Sequence, residues 1–154
     1  MVKNIIIALV TICFSITVFC ENSYIGYYKT IDDNSGEVKS IVKIYKTDNN
    51  TLEGKIVKIF PKENEDPNPI CDKCQGQFKN KPILGMKFMW GFKYENGKWV
   101  DGSILDPDNG KIYHCSLSLN KDGTELEVYG YIKIIFKIGR KQTWIKTEKP
   151  KSLN

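Results

Sequence analysis

The chain of 154 residues has one histidine, His114, and one arginine, Arg140. A lone histidine leaves little room for a nucleophile activated by a base: only Ser116 shares its face of a candidate strand. Alternation turns both away from the core, where a solvated surface accounts for them. The acids are spread over turns without an inward-facing pair, so a two-carboxylate mechanism has no motif. Lysine carries nearly all the positive charge, and 23 basic against 18 acidic residues give a net charge of +5. No basic run is long enough, or interleaved with enough aromatic rings, to form a nucleic-acid footprint. An amphipathic helix, an internal repeat and a low-complexity segment are missing too. The composition therefore points to one globular domain, mostly β, without nucleic acid as a partner.

The longest apolar stretch runs from Ile5 to Phe19, about 15 residues, after Lys3 and before Glu21, Asn22 and Ser23. It is shorter than the ~20 residues of a membrane span and has the layout of a secretory signal peptide. Residues 1–20 are accordingly expected to be a signal peptide, and residues 21–154 a single β-barrel domain, exported to the periplasm or cell envelope. Cleavage after Cys20 gives simple secretion. Cleavage before it would make Cys20 the lipid anchor of a lipoprotein, a route that the bulk of Phe19 disfavours.

From Tyr24 onward, short β-prone runs alternate with turn clusters at regular spacing. Strands are expected at Tyr24–Thr30, Val38–Lys46, Leu52–Phe60, Ile83–Tyr94, Lys98–Leu105, Lys111–Leu119, Glu125–Lys133 and Thr143–Thr147. Asn96-Gly97 suits a two-residue hairpin, and Asp106-Pro107-Asp108-Asn109-Gly110 and Lys121-Asp122-Gly123 supply similar turns. Tyr113, Cys115, Leu117 and Leu119 share one face, which places Cys115 inward. A meander of this length removes its exposed edges by closing, so the expected fold is all-β, a small antiparallel up-and-down barrel with a lipocalin-like architecture.

The one long irregular stretch, Pro61 to Pro82, is proline-rich and contains Cys71-Asp72-Lys73-Cys74. This spacing serves a tight disulfide, a redox pair or half of a zinc site. The proline-rich setting favours a structural disulfide between Cys71 and Cys74, because redox pairs usually open a helix. Zinc would need Cys115 and His114 as well, and adjacent strand residues point to opposite faces. The Asp106–Gly110 segment echoes the start of a calcium loop but lacks its downstream glutamate. Neither a metal nor a cofactor is expected.

A resemblance adds to this reading. Gly26 with Lys29-Thr30, Gly54-Lys55-Ile56-Val57, Cys71, Cys74 and Gly85 form one part of a pattern. Gly102-Ser103-Ile104-Leu105-Asp106-Pro107, Gly110-Lys111, Tyr113, Cys115, Leu126, Val128, Gly130-Tyr131, Gly139-Arg140 and Trp144 complete it. The chain resembles the exported bacterial family known as domain of unknown function 2147 over nearly all of its expected mature length. The family's early Gly-x-Trp is here Gly26-Tyr27-Tyr28, so the packing role of that tryptophan falls to Tyr28. The resemblance implies a small exported domain and no particular activity.

Within a barrel, Tyr28, Phe88, Trp90, Trp99, Tyr113, Tyr131 and Trp144 are the candidate wall of an apolar ligand cavity. A filled aromatic core would use the same residues, and composition does not separate the two. The expectation is a non-catalytic module that binds a small apolar ligand or an envelope protein. The alternatives are a thiol-disulfide enzyme or other envelope enzyme using Cys71 and Cys74, and a purely structural envelope protein.

Overall fold

The computed structural model describes residues 23–151; the expected signal peptide and Cys20 lie outside the described residues. Eight strands follow in order: β1 (Gly26–Ile31), β2 (Val38–Lys46), β3 (Leu52–Ile59), β4 (Lys87–Glu95), β5 (Lys98–Asp106), β6 (Lys111–Leu119), β7 (Glu125–Lys133) and β8 (Lys137–Thr147). Each pairs antiparallel with the next, and β1 pairs with β8, so the sheet closes into the expected up-and-down barrel. Closure satisfies the edges that an open eight-stranded meander would leave exposed.

Local chemistry explains the elements. Asn96 and Gly97 both take positive φ, 50° and 80°, the mirror-image turn that matches the twist of a β-hairpin. In β6 the alternation is clean: Cys115 and Leu117 are buried while His114 is exposed. Two strand starts differ from expectation by more than two residues. Ile83–Met86 is not part of β4: Gly85 N–H donates to Ile56 O at 2.8 Å and Ile56 N–H to Met86 O at 3.0 Å, a bulged approach to the ladder. The last strand begins at Lys137 rather than Thr143, because it forms a long hairpin with β7 whose apolar tip does not alternate.

One end of the barrel is filled. Tyr28, Phe92, Trp99, Leu117 and Leu126 have no solvent exposure, and Tyr24 lies across the opening. The Tyr24 hydroxyl donates to Gly97 O at 2.8 Å and accepts from Leu119 N–H at 3.0 Å, tying β1's approach to the β4–β5 turn and to β6. The Tyr28 hydroxyl donates to Tyr24 O at 2.9 Å, and burial pushes its phenol well above the ordinary tyrosine range. Phe92 packs so closely on Gly102 that a Cβ there would stand 2.4 Å from the ring. Gly102 is therefore a packing requirement, since any side chain would displace a core aromatic.

The opposite end carries the long connection between β3 and β4. It is held down at several points: Ile70 bridges to Pro82, Cys71 N–H donates to Lys81 O at 2.9 Å, and Cys71 and Cys74 stand at disulfide distance with Cα atoms 5.3 Å apart. Both cysteines are fully buried although the loop around them is polar. The stapled segment docks on the β5–β6 turn, where Lys73 Nζ donates to Asp108 O at 2.9 Å. Gly110, at φ 72°, comes so close that a Cβ would lie 2.1 Å from Lys73 O.

Candidate functional site

Beyond the packed end the barrel holds a cavity of about 740 Å³ that opens among the loops at the other end. Val42, Ile56, Phe88, Leu105, Val128 and Trp144 supply its apolar wall, while Thr30, Ser40, Asp106, Asn109, Arg140 and Gln142 lie nearer the rim. One inward position of the hollow, Gly130, carries no side chain. A Cβ added at Gly130 would find Ile104 Cγ2 at 3.8 Å, ordinary contact distance, so that position leaves space that a larger residue would occupy. The size is that of a pocket for one small molecule.

The barrel seam borders this cavity. β7 and β8 pair from Glu125↔Ile145 to Lys133↔Lys137, whereas β1 and β8 pair only at Tyr27↔Thr147, Tyr28↔Lys146 and Lys29↔Ile145. Above that short closure a polar chain spans the gap. Trp144 Nε1–H donates to Gln142 Oε1 at 3.4 Å, and Gln142 Nε2 donates to Asp33 Oδ2 at 3.1 Å. Arg140 Nη1 reaches the same oxygen at 2.9 Å. Asp33 sits in a β1–β2 loop organised by Asp32. Backbone N–H groups of Ser35 and Asn34 donate to the Asp32 carboxylate, and the Ser35 bond is the largest of the effects that lower its pKa. Across the mouth, Lys39 pairs with Asp108.

Four of the seven expected wall residues, Phe88, Tyr113, Tyr131 and Trp144, border the cavity, though the Tyr131 ring lies on the outer face of β7. The Phe88 and Trp144 rings lie 6.1 Å apart, and Asn109 Nδ2 donates to the Tyr113 hydroxyl at 3.0 Å. The Tyr131 ring also stacks in a row with His114 and Tyr129. The other three are elsewhere. Tyr28 and Trp99 belong to the packed end, and Trp90 stacks on Phe78 of the long loop at 5.6 Å. Register shifts in the β3–β4 ladder explain the last case, since they break the alternation that would group Trp90 with Phe88 and Phe92. Sequence reasoning assigns no site role to Arg140, Asp33 or Gln142; the available signals were that Arg140 is the sole arginine and that it stands in the Gly139-Arg140 part of the family pattern.

The cysteine and histidine chemistry divides among separate places. Cys115 is a buried free thiol in the core, and burial pushes its pKa well above the ordinary value. His114 lies on the opposite face of β6, stacked on Tyr131 at 5.5 Å. Among the described residues, no three His, Cys, Asp or Glu side chains are grouped to hold a metal ion.

A closed eight-stranded antiparallel barrel, packed at one end and hollow at the other, defines a lipocalin-like protein. A search of the solved structures supports that class. Protein HP1028 from the human pathogen Helicobacter pylori, described as belonging to the lipocalin family, superimposes with a TM-score of 0.66 at 16% identity, over 81% of this chain and 83% of that one. The chain belongs to the family described as "Uncharacterized protein conserved in bacteria" (DUF2147), whose model matches residues 26–146. No curated protein matches.

Proposed function

We propose that this protein is an exported binding module of the bacterial cell envelope, without catalytic activity, whose barrel takes up one small and mainly apolar molecule. The observation that carries the reading is the cavity of about 740 Å³, walled by aliphatic and aromatic side chains, beside a barrel end that is fully packed. Small eight-stranded barrels with such a division hold a single ligand, as lipocalins do. The charged rim groups Arg140 and Lys39 are engaged by Asp33 and Asp108, which suits a mouth that admits a ligand more than a reacting centre.

Export rests on the apolar run Ile5–Phe19 behind Lys3 and on a Cys71–Cys74 bond, which persists in an oxidising compartment. Periplasmic release or a lipid anchor on Cys20 are the two fates this allows. Thiol exchange at Cys71 and Cys74 is the weaker reading, since both cysteines are fully buried and an attacking thiolate needs access to sulfur.

The test is to isolate the protein from the cells that make it and identify bound small molecules and the state of each cysteine by mass spectrometry. A stoichiometric apolar compound is the expected result. An empty barrel that also fails to bind a fluorescent fatty acid would overturn the reading and leave a structural or partner-binding role.

A further inference from the structure

The β7–β8 hairpin carries a feature that the cavity does not use. Past Tyr131, β7 has no ladder partner on β6, and before Ile145, β8 has none on β1, so the end of the hairpin is held by its own pairs Ile132↔Ile138 and Lys133↔Lys137. Its tip is apolar and bare: Ile134 is 71% exposed, Ile135 92% and Phe136 67%, flanked by half-exposed Ile132 and Ile138. Single exposed apolar residues are common, but a contiguous patch rimmed by charge marks a docking surface.

Charge identifies the occupant. From Gly130 to Thr147 the chain has five cations, Lys133, Lys137, Arg140, Lys141 and Lys146, and no carboxylate. Asp33 and Glu127 engage Arg140 and Lys141, and Lys146 reaches back to Ser23 O. Lys133 and Lys137 bracket the tip itself, with Lys137 Nζ 4.6 Å from the Tyr131 ring centroid. The finger reaches about 10 Å beyond the ladder, at ~3.3 Å per residue. That matches the ~5–10 Å depth at which interfacial segments bury apolar groups below lipid headgroups. The five apolar residues of the finger are far fewer than the ~20–30 residues a side of a stable protein interface.

We infer that the β7–β8 tip docks on an anionic lipid surface, inserting Ile134, Ile135 and Phe136 below the headgroups while Lys133 and Lys137 meet the lipid phosphates. Ile132 and Ile138 belong to both the finger and the cavity lining, so the docking tip stands beside the mouth of the barrel. The inference concerns the hairpin and stands whether or not the cavity takes a ligand.

The experiment uses the full chain carrying Phe136→Trp and reads its emission as the difference from the parent chain, which shares Trp90, Trp99 and Trp144, so that the difference reports the tip whatever the amino-terminal apolar run does. With phosphatidylglycerol vesicles the emission shifts to the blue and is quenched by brominated acyl chains; with phosphatidylcholine vesicles the shift is small. Lys133→Gln and Lys137→Gln each lower the affinity for phosphatidylglycerol vesicles about fivefold. Ile135→Ser lowers it about tenfold, with the thermal midpoint unchanged because the side chain is exposed. An unshifted tip on phosphatidylglycerol, or an equal shift on phosphatidylcholine, overturns the inference. A blue shift that follows protein concentration without vesicles would also overturn it, assigning the tip to a second copy of the chain.

Discussion

The two ends of this barrel are built from the same eight strands and the same alternation, yet one is solid and the other hollow. At the solid end Tyr24, Tyr28, Phe92 and Trp99 meet in the interior, and Phe92 takes the space that Gly102 leaves. At the hollow end the facing residues are Val42, Ser40, Val128 and Gly130, and the space that Gly130 leaves is taken by no ring. The difference teaches that a cavity in a small barrel depends on which glycine has an aromatic partner, more than on how many aromatics the chain contains. Stability should reside at the solid end and binding at the hollow one.

The largest effect that would sharpen this contrast is at Trp99. Trp99→Ala should cost about 3–5 kcal/mol, measured by urea unfolding, while leaving the affinity for an apolar probe unchanged in the folded fraction. Because Trp99 Nε1 has no hydrogen-bond partner among the described residues, Trp99→Phe should lose far less. A collapse of probe binding at full stability would reverse the assignment of the two ends.

Alkaline pH acts next, on Cys115 and Tyr28 in the solid interior and on half-buried Tyr45 of β2. Burial raises the Cys115 thiol above its ordinary 9.0 and the Tyr28 phenol above its ordinary 10.0. Burial, and then Glu53, push Tyr45 up to about 12. In each case the fold favours the protonated form. Their contribution is thus complete below the ordinary values and is lost as pH rises through them toward the folded values. For Cys115 the loss reaches about 2–3 kcal/mol two pH units above its ordinary value. Urea midpoints should fall from about pH 9 upward, and Cys115→Ala should flatten the first part of that fall. A midpoint independent of pH across this window would contradict the burial of these groups.

At the hollow end the effects are smaller. Replacing both Cys71 and Cys74 by serine should cost about 2 kcal/mol, the chain-entropy value for so short a bridge, visible as a lower thermal midpoint. Asp33→Ala removes the acceptor shared by Arg140 and Gln142 at the seam. It should change stability by less than about 1 kcal/mol, as an exposed ion pair does, while speeding dissociation of a bound probe in stopped-flow measurements.

The barrel was legible in the sequence because its strands are punctuated by strong turns. Val38–Lys46, Lys111–Leu119 and Glu125–Lys133 stand where alternation places them, and Asn96-Gly97 makes the expected turn. The start of β8 was not legible, since Ile134-Ile135-Phe136 is an exposed tip rather than an alternating run. Trp90 was grouped with Phe88 because register shifts along β4 leave no trace in a count of alternate residues. The cavity was illegible for a deeper reason: hollowness is set across strands, by Gly130 meeting Ile104 at a distance and Gly102 meeting Phe92 directly, and a linear sequence does not display those partnerships.

The most direct test of the central claim fills the hollow end alone. Gly130→Phe adds a ring where a Cβ has ordinary contact and the cavity lies beyond. Titration of cis-parinaric acid into the parent and the variant should show affinity reduced at least about tenfold in the variant, with its unfolding midpoint kept or raised. Equal affinity in both proteins would show that the cavity is not where an apolar ligand binds.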